Sequence, residues 1–164
     1  MIRDIKDDVK KVLYSEEQLA KRIKEMAEEI SKDYAGKDLL VVGILKGSVL
    51  FTSDLIKNIT IPCEIDFMAV SSYGNSAQTS GVVRILKDLD SDIENKHVLI
   101  VEDIVDTGTT LSYLLEYLKA RKAASIEIVA LLDKEARRTS NISAKYKGFD
   151  VPDEFIVGYG IDYA

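Results

Sequence analysis

The sequence has very few of the residues that build disulfide frameworks and zinc sites. It contains one cysteine, Cys63, one histidine, His97, and no tryptophan. A single cysteine excludes an internal disulfide, which fits the reducing cytoplasm, and we expect Cys63 to pack rather than to react. With one histidine besides, a structural zinc site is not expected. We interpret His97 as structural.

Long apolar runs and an excess of positive charge are also missing. No apolar run approaches the length of a membrane span, and residues 1–8 are too charged for a signal peptide. The formal net charge is −6. We therefore expect no membrane partner and no nucleic acid partner, because non-specific binding to nucleic acid needs basic surface. The length of 164 residues predicts a single domain over residues 1–164.

Candidate functional residues are densest in segment 98–110, which reads Val-Leu-Ile-Val-Glu-Asp-Ile-Val-Asp-Thr-Gly-Thr-Thr. Its first four residues are apolar and mostly β-branched, which predicts a strand buried on both faces of a parallel sheet. The run ends at Glu102 and Asp103, and Asp106 follows. Ligands of open α/β sheets bind beyond the carboxyl ends of the strands. We therefore expect these acids to meet hydroxyl groups, a metal ion or a cationic transition state.

A hydroxylated turn follows the acids and precedes a predicted helix. It consists of Thr107, Gly108, Thr109 and Thr110. The leucines after it have the i, i+3, i+4, i+7 spacing of one apolar helix face: Leu111, Leu114, Leu115 and Leu118. Free N–H groups at a helix N-terminus bind phosphate, and glycine lets the backbone approach closely. Acids beside a phosphate site predict a sugar phosphate ligand, which carries both a phosphate and vicinal hydroxyls.

The order of apolar run, acid pair, two apolar residues, Asp, Thr, Gly, any residue and Thr resembles a known family signature. It is the signature of the phosphoribosyltransferases for 5-phosphoribosyl-1-pyrophosphate. The resemblance implies that Glu102 and Asp103 hold the ribose hydroxyls, directly or beside a metal ion. It also implies that Asp106 handles a proton at N7 of a base, and that residues 106–110 bind the 5′-phosphate. Since the donors here are oxygen atoms, the metal ion should be Mg²⁺.

A second candidate anion site follows a second predicted buried strand, residues 39–45. The strand leads into Lys46-Gly47-Ser48 and a helix-like segment at 49–59. A helix start with a lysine and a glycine favours an anion, and the alternative is a simple turn with a solvated Lys46. In purine phosphoribosyltransferases the resembling Leu-Lys-Gly forms the pyrophosphate loop. The resemblance therefore implies that Leu45, Lys46 and Gly47 bind pyrophosphate.

The most loop-like stretch of the chain is residues 71–81, between predicted strands at 61–70 and 82–89. This order predicts a protruding hairpin, and loops of this length are often functional. The family has a flexible lid here that closes over the reacting sugar, and Ser72 and Tyr73 match the Ser-Tyr pair at its base. Such a lid would keep water from the reactive sugar.

A further predicted strand, 126–132, ends in Asp-Lys-Glu-Ala-Arg-Arg, and the segment from residue 148 onward is too apolar for a tail. Together they narrow the resemblance to the hypoxanthine-guanine phosphoribosyltransferases of the bacterial type, over nearly the whole chain. The resemblance implies that Lys134 donates to the purine 6-oxo group and that Phe155 stacks on the base. We interpret Arg137 and Arg138 as solvated residues of the turn.

The last residues complete the implied base site. The backbone at Ile156 and Asp162 would read the N1–C2 edge, and the Asp162 carboxylate would help to hold a second Mg²⁺ through water. The family usually continues past Asp-Tyr with a short stretch that includes an arginine on pyrophosphate. For a chain that ends at Ala164, we expect folding to survive and pyrophosphate to bind more weakly than nucleotide.

The expected fold is α/β, with a parallel sheet of about five strands between helices, as in type I phosphoribosyltransferases. A small hood would come from the N-terminal arm and residues 134–164. The expected reaction is Mg²⁺-dependent purine salvage by a homodimer or homotetramer: a 6-oxopurine receives the phosphoribosyl group, and IMP or GMP and pyrophosphate are formed. Two alternatives remain, a transferase for adenine or xanthine and a regulator that binds the sugar ligand or RNA without catalysis. Lys134 argues against adenine, whose 6-amino group is also a donor, and Asp106 argues against the regulator.

Overall fold

The structure, a computed structural model, describes residues 13–72 and 83–161. Its helices and strands, in chain order, are α1 (Glu16–Asp33), β1 (Leu39–Leu45), α2 (Val49–Asn58), β2 (Glu64–Ser72), β3 (Val83–Lys87), β4 (His97–Val105), α3 (Thr109–Lys119), β5 (Ser125–Asp133) and β6 (Tyr146–Asp150). A single 3-10 turn, Glu135–Arg137, follows β5. Most of the expected lid and of the N-terminal arm lies outside the described residues, so both stay predictions.

The six strands form one sheet in the order β3-β2-β1-β4-β5-β6. Neighbouring strands are parallel except β2 and β3, which are antiparallel. The α/β class is therefore confirmed, and so is the expected sheet of about five parallel strands, which are β2, β1, β4, β5 and β6. Strand β3 is antiparallel to β2 and returns without the long crossover that a parallel pair needs, as the predicted hairpin requires. Strands β3 and β6 take the two edges of the sheet.

Both edge strands carry weaker sequence signals than the central ones. In β3 exposed and less exposed residues alternate, because only one face of an edge strand packs on the core. Strand β6 contains Gly148, where an added Cβ would overlap the backbone carbonyl of Leu131. A glycine here lets the β6 backbone approach β5 closely. The same glycine breaks the apolar run from which a strand is predicted.

The sheet separates two apolar clusters. On one face, α1 and α2 contribute Ile23, Met26, Phe51 and Leu55; on the other face, α3 contributes Leu111, Leu114 and Leu118. Alternate residues of β1 and β4 point into each cluster, as expected for strands with two buried faces. The predicted leucine face of α3 is confirmed, with Leu115 only half-buried. Within residues 13–72 and 83–161, each helix is too short or too polar to cross a membrane.

Local signals at single residues agree with the structure. The Ser15 hydroxyl accepts a hydrogen bond from the Gln18 N–H, and the Gln18 side chain accepts one from the Ser15 N–H, which forms a capping box at α1.

His97 Nδ1 lies 2.7 Å from the Ser125 hydroxyl and links the starts of β4 and β5. Cys63 packs partly against the α1–α2 side of the core, and burial raises the pKa of its thiol. These environments fit structural roles for His97 and Cys63.

Asp88 ties the end of β3 to α3 and the turn that follows it. Arg121 Nη1 donates to Asp88 Oδ1 at 2.9 Å, and the Tyr117 hydroxyl donates to Oδ2 at 2.5 Å. Burial raises the pKa of Asp88, but these hydrogen bonds outweigh it and bring the pKa to about 2. A carboxyl with a lowered pKa stabilises the folded state above its ordinary pKa, and that stabilisation is lost as the pH falls toward 2.

We expect Asp88→Asn to lower the free energy of unfolding at pH 7 by about 1 kcal/mol, a modest value because the ion pair is one-third exposed and screened by solvent. The difference from the original protein should shrink as the pH falls below about 4, measured by urea unfolding at several pH values. The control is Glu116→Gln, which removes an exposed pair with Lys119 and should cost less than about 0.5 kcal/mol. A destabilisation by Asp88→Asn that does not change with pH would contradict the assignment.

Candidate active site

The site lies where the central strands end. Strand β4 is parallel to both β1 and β5, and Val105 pairs with Asp133 at the end of β4 and β5. The Lys134 N–H donates to the Val105 carbonyl at 2.9 Å. The carboxyl ends of β1, β4 and β5 therefore meet at one edge, and the residues after them are neighbours in space.

Two adjacent acids come from the last part of β4. Glu102 is partly buried and lines the pocket at the end of β4; burial and the charge of Asp103 raise the pKa of its carboxyl well above the ordinary value. No cation among the described residues pairs with Glu102. Asp103 Oδ1 accepts the Ile104 N–H at 2.8 Å. Carboxylate oxygens are donors that fit hydroxyl groups or Mg²⁺. Asp162, the third acid implied by the resemblance, lies outside the described residues.

The turn after β4 forms a pocket at the N-terminus of α3. Gly108 precedes α3 with φ +84°, and an added Cβ would overlap the side chains of Ser140 and Ile142. Thr107 Oγ1 lies 3.2 Å from Thr109 Oγ1. Gly108 at the N-cap has no side chain to cap α3, and the Thr109 N–H makes only a long hydrogen bond, 3.4 Å, to Thr107 Oγ1. The first turn lies at a pocket lined by Glu102 and residues 104–111. Thr107 to Thr110 thus form the geometry that an anion needs.

Arg138 fixes this turn from the side of β5. Its side chain is 13% exposed and pairs with the buried Asp133. It also donates to the backbone carbonyls of Asp106, at 3.2 Å, and Ile142, at 3.1 Å. The expectation of a solvated Arg138 is therefore wrong. Asp133 was the sequence signal that could have predicted this ion pair, because a carboxylate at the buried end of a strand needs a cation or several donors.

Arg137 forms two ion pairs that the sequence does not predict. Its Nε lies 2.6 Å from Asp106 Oδ1, and its Nη1 lies 3.3 Å from Asp153 Oδ1. The side chain is 45% exposed, as a solvated residue of the turn should be, but its guanidinium also bridges two carboxylates. The local sequence gives no signal for this contact, since Asp106 and Asp153 are distant from Arg137 in the chain.

The loop after β1 packs against the acids of β4. Lys46 is exposed, and the Leu45–Lys46 peptide bond is cis. An added Cβ at Gly47 would overlap the Asp103 carboxylate, so only glycine allows this approach. The buried Ser48 hydroxyl donates to the Ile44 carbonyl and does not cap α2. The N-terminus of α2 is therefore open beside Lys46, as the anion-site hypothesis requires.

Lys134 stands beside these groups at the end of β5. It is only 8% exposed. Among the residues that the structure describes, none forms a hydrogen bond or ion pair with its ammonium group. Among the described residues, Lys134 Nζ is not one of the fully buried side-chain atoms that lack a partner, so the ammonium group is open to the site although the rest of the side chain is buried. The position therefore suits a cation that receives its acceptor from a ligand.

The segment after β6 returns to the pyrophosphate loop predicted at residues 45–47. The Tyr159 hydroxyl donates to Asp54 of α2, and an added Cβ at Gly160 would lie 3.4 Å from the Gly47 carbonyl. Earlier in the segment, Phe155 is 68% exposed and Ile156 packs partly against the core. An exposed aromatic ring offers a flat apolar face on which a base can stack. Ser72 is the last residue of β2, and Tyr73 lies outside the described residues.

A second group of acids lies beside β5 and β6. One carboxylate oxygen from each of Asp133, Glu135 and Asp150 lies within 4.8 Å of the others. Lys147 Nζ lies 2.8 Å from Asp150 and 3.1 Å from Glu135, and Arg138 pairs with Asp133. These cations neutralise the acids, so we interpret the group as a salt-bridge cluster and not as the metal site.

Comparison with known proteins agrees with this geometry. A model of the phosphoribosyl transferase domain matches residues 10–164. The hypoxanthine-guanine phosphoribosyltransferase of Bacillus subtilis (strain 168) is 52% identical over 160 residues, which are 98% of this chain and 89% of that protein. The same enzyme of Staphylococcus aureus (strain Mu50) is 55% identical over 157 residues, which are 96% of this chain and 88% of that protein.

Solved structures give the same result. A crystal structure of a hypoxanthine phosphoribosyltransferase from Staphylococcus aureus superposes with a TM-score of 0.94 at 55% identity, over 97% of this chain and 86% of that chain. A hypoxanthine-guanine phosphoribosyltransferase from Bacillus anthracis, with a HEPES molecule in its active site, gives a TM-score of 0.90 at 46% identity, over 94% and 91% of the two chains. The chain belongs to the hypoxanthine-guanine phosphoribosyltransferases, a family of the type I phosphoribosyltransferase fold.

Proposed function

We propose that this chain transfers the 5-phosphoribosyl group of 5-phosphoribosyl-1-pyrophosphate to N9 of hypoxanthine or guanine. The products are IMP or GMP and pyrophosphate, and the reaction serves purine salvage. The observation that carries the proposal is the meeting of three features at adjacent strand ends. They are the acid pair of β4, the N-terminus of α3 and the mostly buried side chain of Lys134, whose ammonium group has no partner among the described residues.

Glu102 and Asp103 hold the ribose in this proposal. Loss of pyrophosphate leaves positive charge on the ribose ring, and two carboxylates beside the ring stabilise that charge. Burial and the charge of Asp103 raise the pKa of Glu102, so a positive charge beside the two acids would favour the ionised form. Glu102 and Asp103, with Asp162 through water, would hold Mg²⁺, which would supply positive charge beside the ribose hydroxyls and pyrophosphate.

The two ends of the sugar ligand bind on two loops. Thr107, Gly108, Thr109 and Thr110 hold the 5′-phosphate through backbone N–H groups and hydroxyls, supported by the open start of α3. Residues 45–47 hold pyrophosphate, with Lys46 as the counter-charge. The close packing of Gly47 on Asp103 supports this assignment, because it brings the pyrophosphate loop next to the ribose acids.

The base binds between β5 and the segment after β6. Lys134 donates to the 6-oxo group, Phe155 stacks on the ring, and the backbone at Ile156 and Asp162 reads the N1–C2 edge. A cationic donor selects 6-oxopurines and disfavours adenine, because two donors would face each other without an acceptor. The exposure of Phe155 and the low exposure of Lys134 support a ring that enters from solvent and ends at the lysine.

Water exclusion and assembly complete the proposal. Residues 71–81, with Ser72 and Tyr73 at the base, act as a lid that keeps water from the reactive sugar. The chain is one domain whose hood comes from the N-terminal arm and residues 134–164. We also propose that the enzyme works in the cytoplasm as a homodimer or homotetramer.

Asp106→Asn tests the proton step. Asp106 takes the proton from N7 as the bond from N9 to C1′ forms, so the variant should form nucleotide about 10²–10⁴ times more slowly, with little change in the affinity for 5-phosphoribosyl-1-pyrophosphate. Rapid-quench measurement of a single turnover gives this rate. The control is Asp92→Asn, an exposed position before the start of β4, which should leave the rate unchanged. An unchanged rate in Asp106→Asn would refute the assignment.

Lys134→Met tests base recognition and keeps the apolar stem of the side chain. The affinity for GMP should fall about 10–100-fold, because a charge-assisted hydrogen bond contributes roughly 1.5–3 kcal/mol. The affinity for 5-phosphoribosyl-1-pyrophosphate should not change, and calorimetric titration measures both. Lys119→Met, which replaces an exposed lysine of α3, is the control. Equal losses for both ligands would mean that Lys134 supports the fold and not the base.

A further inference from the structure

Arg137 connects two parts of the site that are far apart in the chain. Its Nε lies 2.6 Å from Oδ1 of Asp106, which follows β4, and its Nη1 lies 3.3 Å from Oδ1 of Asp153. Asp153 follows β6 and precedes Phe155 by two residues. One guanidinium therefore joins the proposed proton-handling residue to the segment proposed to bind the base.

The two oxygens of the Asp106 carboxylate have different surroundings. Oδ1 is buried and has no well-aligned hydrogen-bond donor among the described residues, so the short contact with Arg137 is mainly an attraction of opposite charges. The Asp106 side chain as a whole is 47% exposed. Because Oδ1 is buried, the exposed surface of the Asp106 side chain belongs to its other atoms, which include Oδ2. The arrangement leaves Oδ2 as the oxygen that a base can reach.

The backbone of Asp106 is fixed separately from its side chain. Arg138 donates to the Asp106 carbonyl, and the Thr107 carbonyl accepts bonds from the Thr139 N–H at 3.0 Å and from Ser140 Oγ at 3.2 Å. These contacts set the position of the main chain but leave the carboxylate free to rotate. Among the described residues, Arg137 alone forms an ion pair with that carboxylate.

We infer that Arg137 is a positioning residue for the proton step: it orients the Asp106 carboxylate so that Oδ2 faces N7 of the base. This role rests on the proposed function, in which Asp106 takes the N7 proton. As the N9–C1′ bond forms, the bond from C1′ to pyrophosphate breaks, pyrophosphate leaves with the electron pair, and the proton passes from N7 to Asp106. The guanidinium transfers no proton and contacts no reacting atom.

The contact of Arg137 with Asp153 links the positioning of Asp106 to the segment proposed to bind the base. When the segment around Asp153 holds a purine against Phe155, Arg137 stays between that segment and Asp106. The planar guanidinium suits two carboxylates at once, because its nitrogens present donors in several fixed directions. A lysine can pair with one carboxylate as a point charge, but it does not reproduce this bridge.

The test compares single-turnover rates of nucleotide formation at saturating 5-phosphoribosyl-1-pyrophosphate and hypoxanthine. Arg137→Gln should lower this rate about tenfold, since misplacing a reacting group by about 1 Å costs up to about 10². Arg137→Lys should recover part of the loss, and the dissociation constants of both substrates should change less than about threefold. Lys147→Gln is the matched control, because Lys147 also bridges two carboxylates, Glu135 and Asp150, and should leave the rate unchanged.

A double-mutant cycle with Asp106→Asn separates positioning from a general structural effect. If Arg137 acts through Asp106, adding Arg137→Gln to Asp106→Asn should produce no further loss. Equal losses with and without the Asp106 carboxylate would overturn the inference, as would an unchanged rate in Arg137→Gln alone. An unchanged rate in Asp106→Asn alone would overturn the proposed proton step together with the inference, so the two failures are distinguishable.

Discussion

The parallel pairing of β4 with β1 on one side and β5 on the other is the constraint on which the site depends. It brings together the residues after β1, β4 and β5, although Lys46, Asp106 and Lys134 are far apart in the chain. The register is strongly specified, because alternate residues of β4 pack into two different apolar clusters and a shift by one residue would exchange them. A shift would also separate Val105 from Asp133, and with them Asp106 from Lys134.

The charges around these strand ends are organised for a ligand that is both anionic and, during the reaction, cationic at the sugar. Burial and the charge of Asp103 raise the pKa of Glu102, and the ammonium group of Lys134 has no acceptor among the described residues although the residue is only 8% exposed. Burial makes the charged form of Glu102 unfavourable in the ligand-free protein. A bound sugar phosphate and purine would supply what each group lacks. In contrast, Asp133 is satisfied internally by Arg138 and serves the scaffold.

The central part of this arrangement is predictable from the sequence, because its signals are local. An apolar β-branched run, a glycine in a hydroxylated turn and leucines at helical spacing identify β4, the loop and α3 without reference to the rest of the chain. The hairpin of β2 and β3 was predicted, but the edge strand β6 and the contacts of Arg137 and Arg138 were not. Asp133 lies five residues before Arg138 and was a local signal, whereas Asp106, which both arginines contact, is distant in the chain. Periodicity carries no information on such partners.

The central claim is that the acids of β4, the α3 turn and Lys134 form one site that joins a phosphoribosyl group to a 6-oxopurine. The most direct measurement is a spectrophotometric assay of hypoxanthine, guanine and adenine, each with 5-phosphoribosyl-1-pyrophosphate and Mg²⁺. The account predicts that hypoxanthine and guanine are consumed with release of one pyrophosphate per base, and that adenine is not consumed. Consumption of adenine at a similar rate, or of none of the three bases, would contradict it.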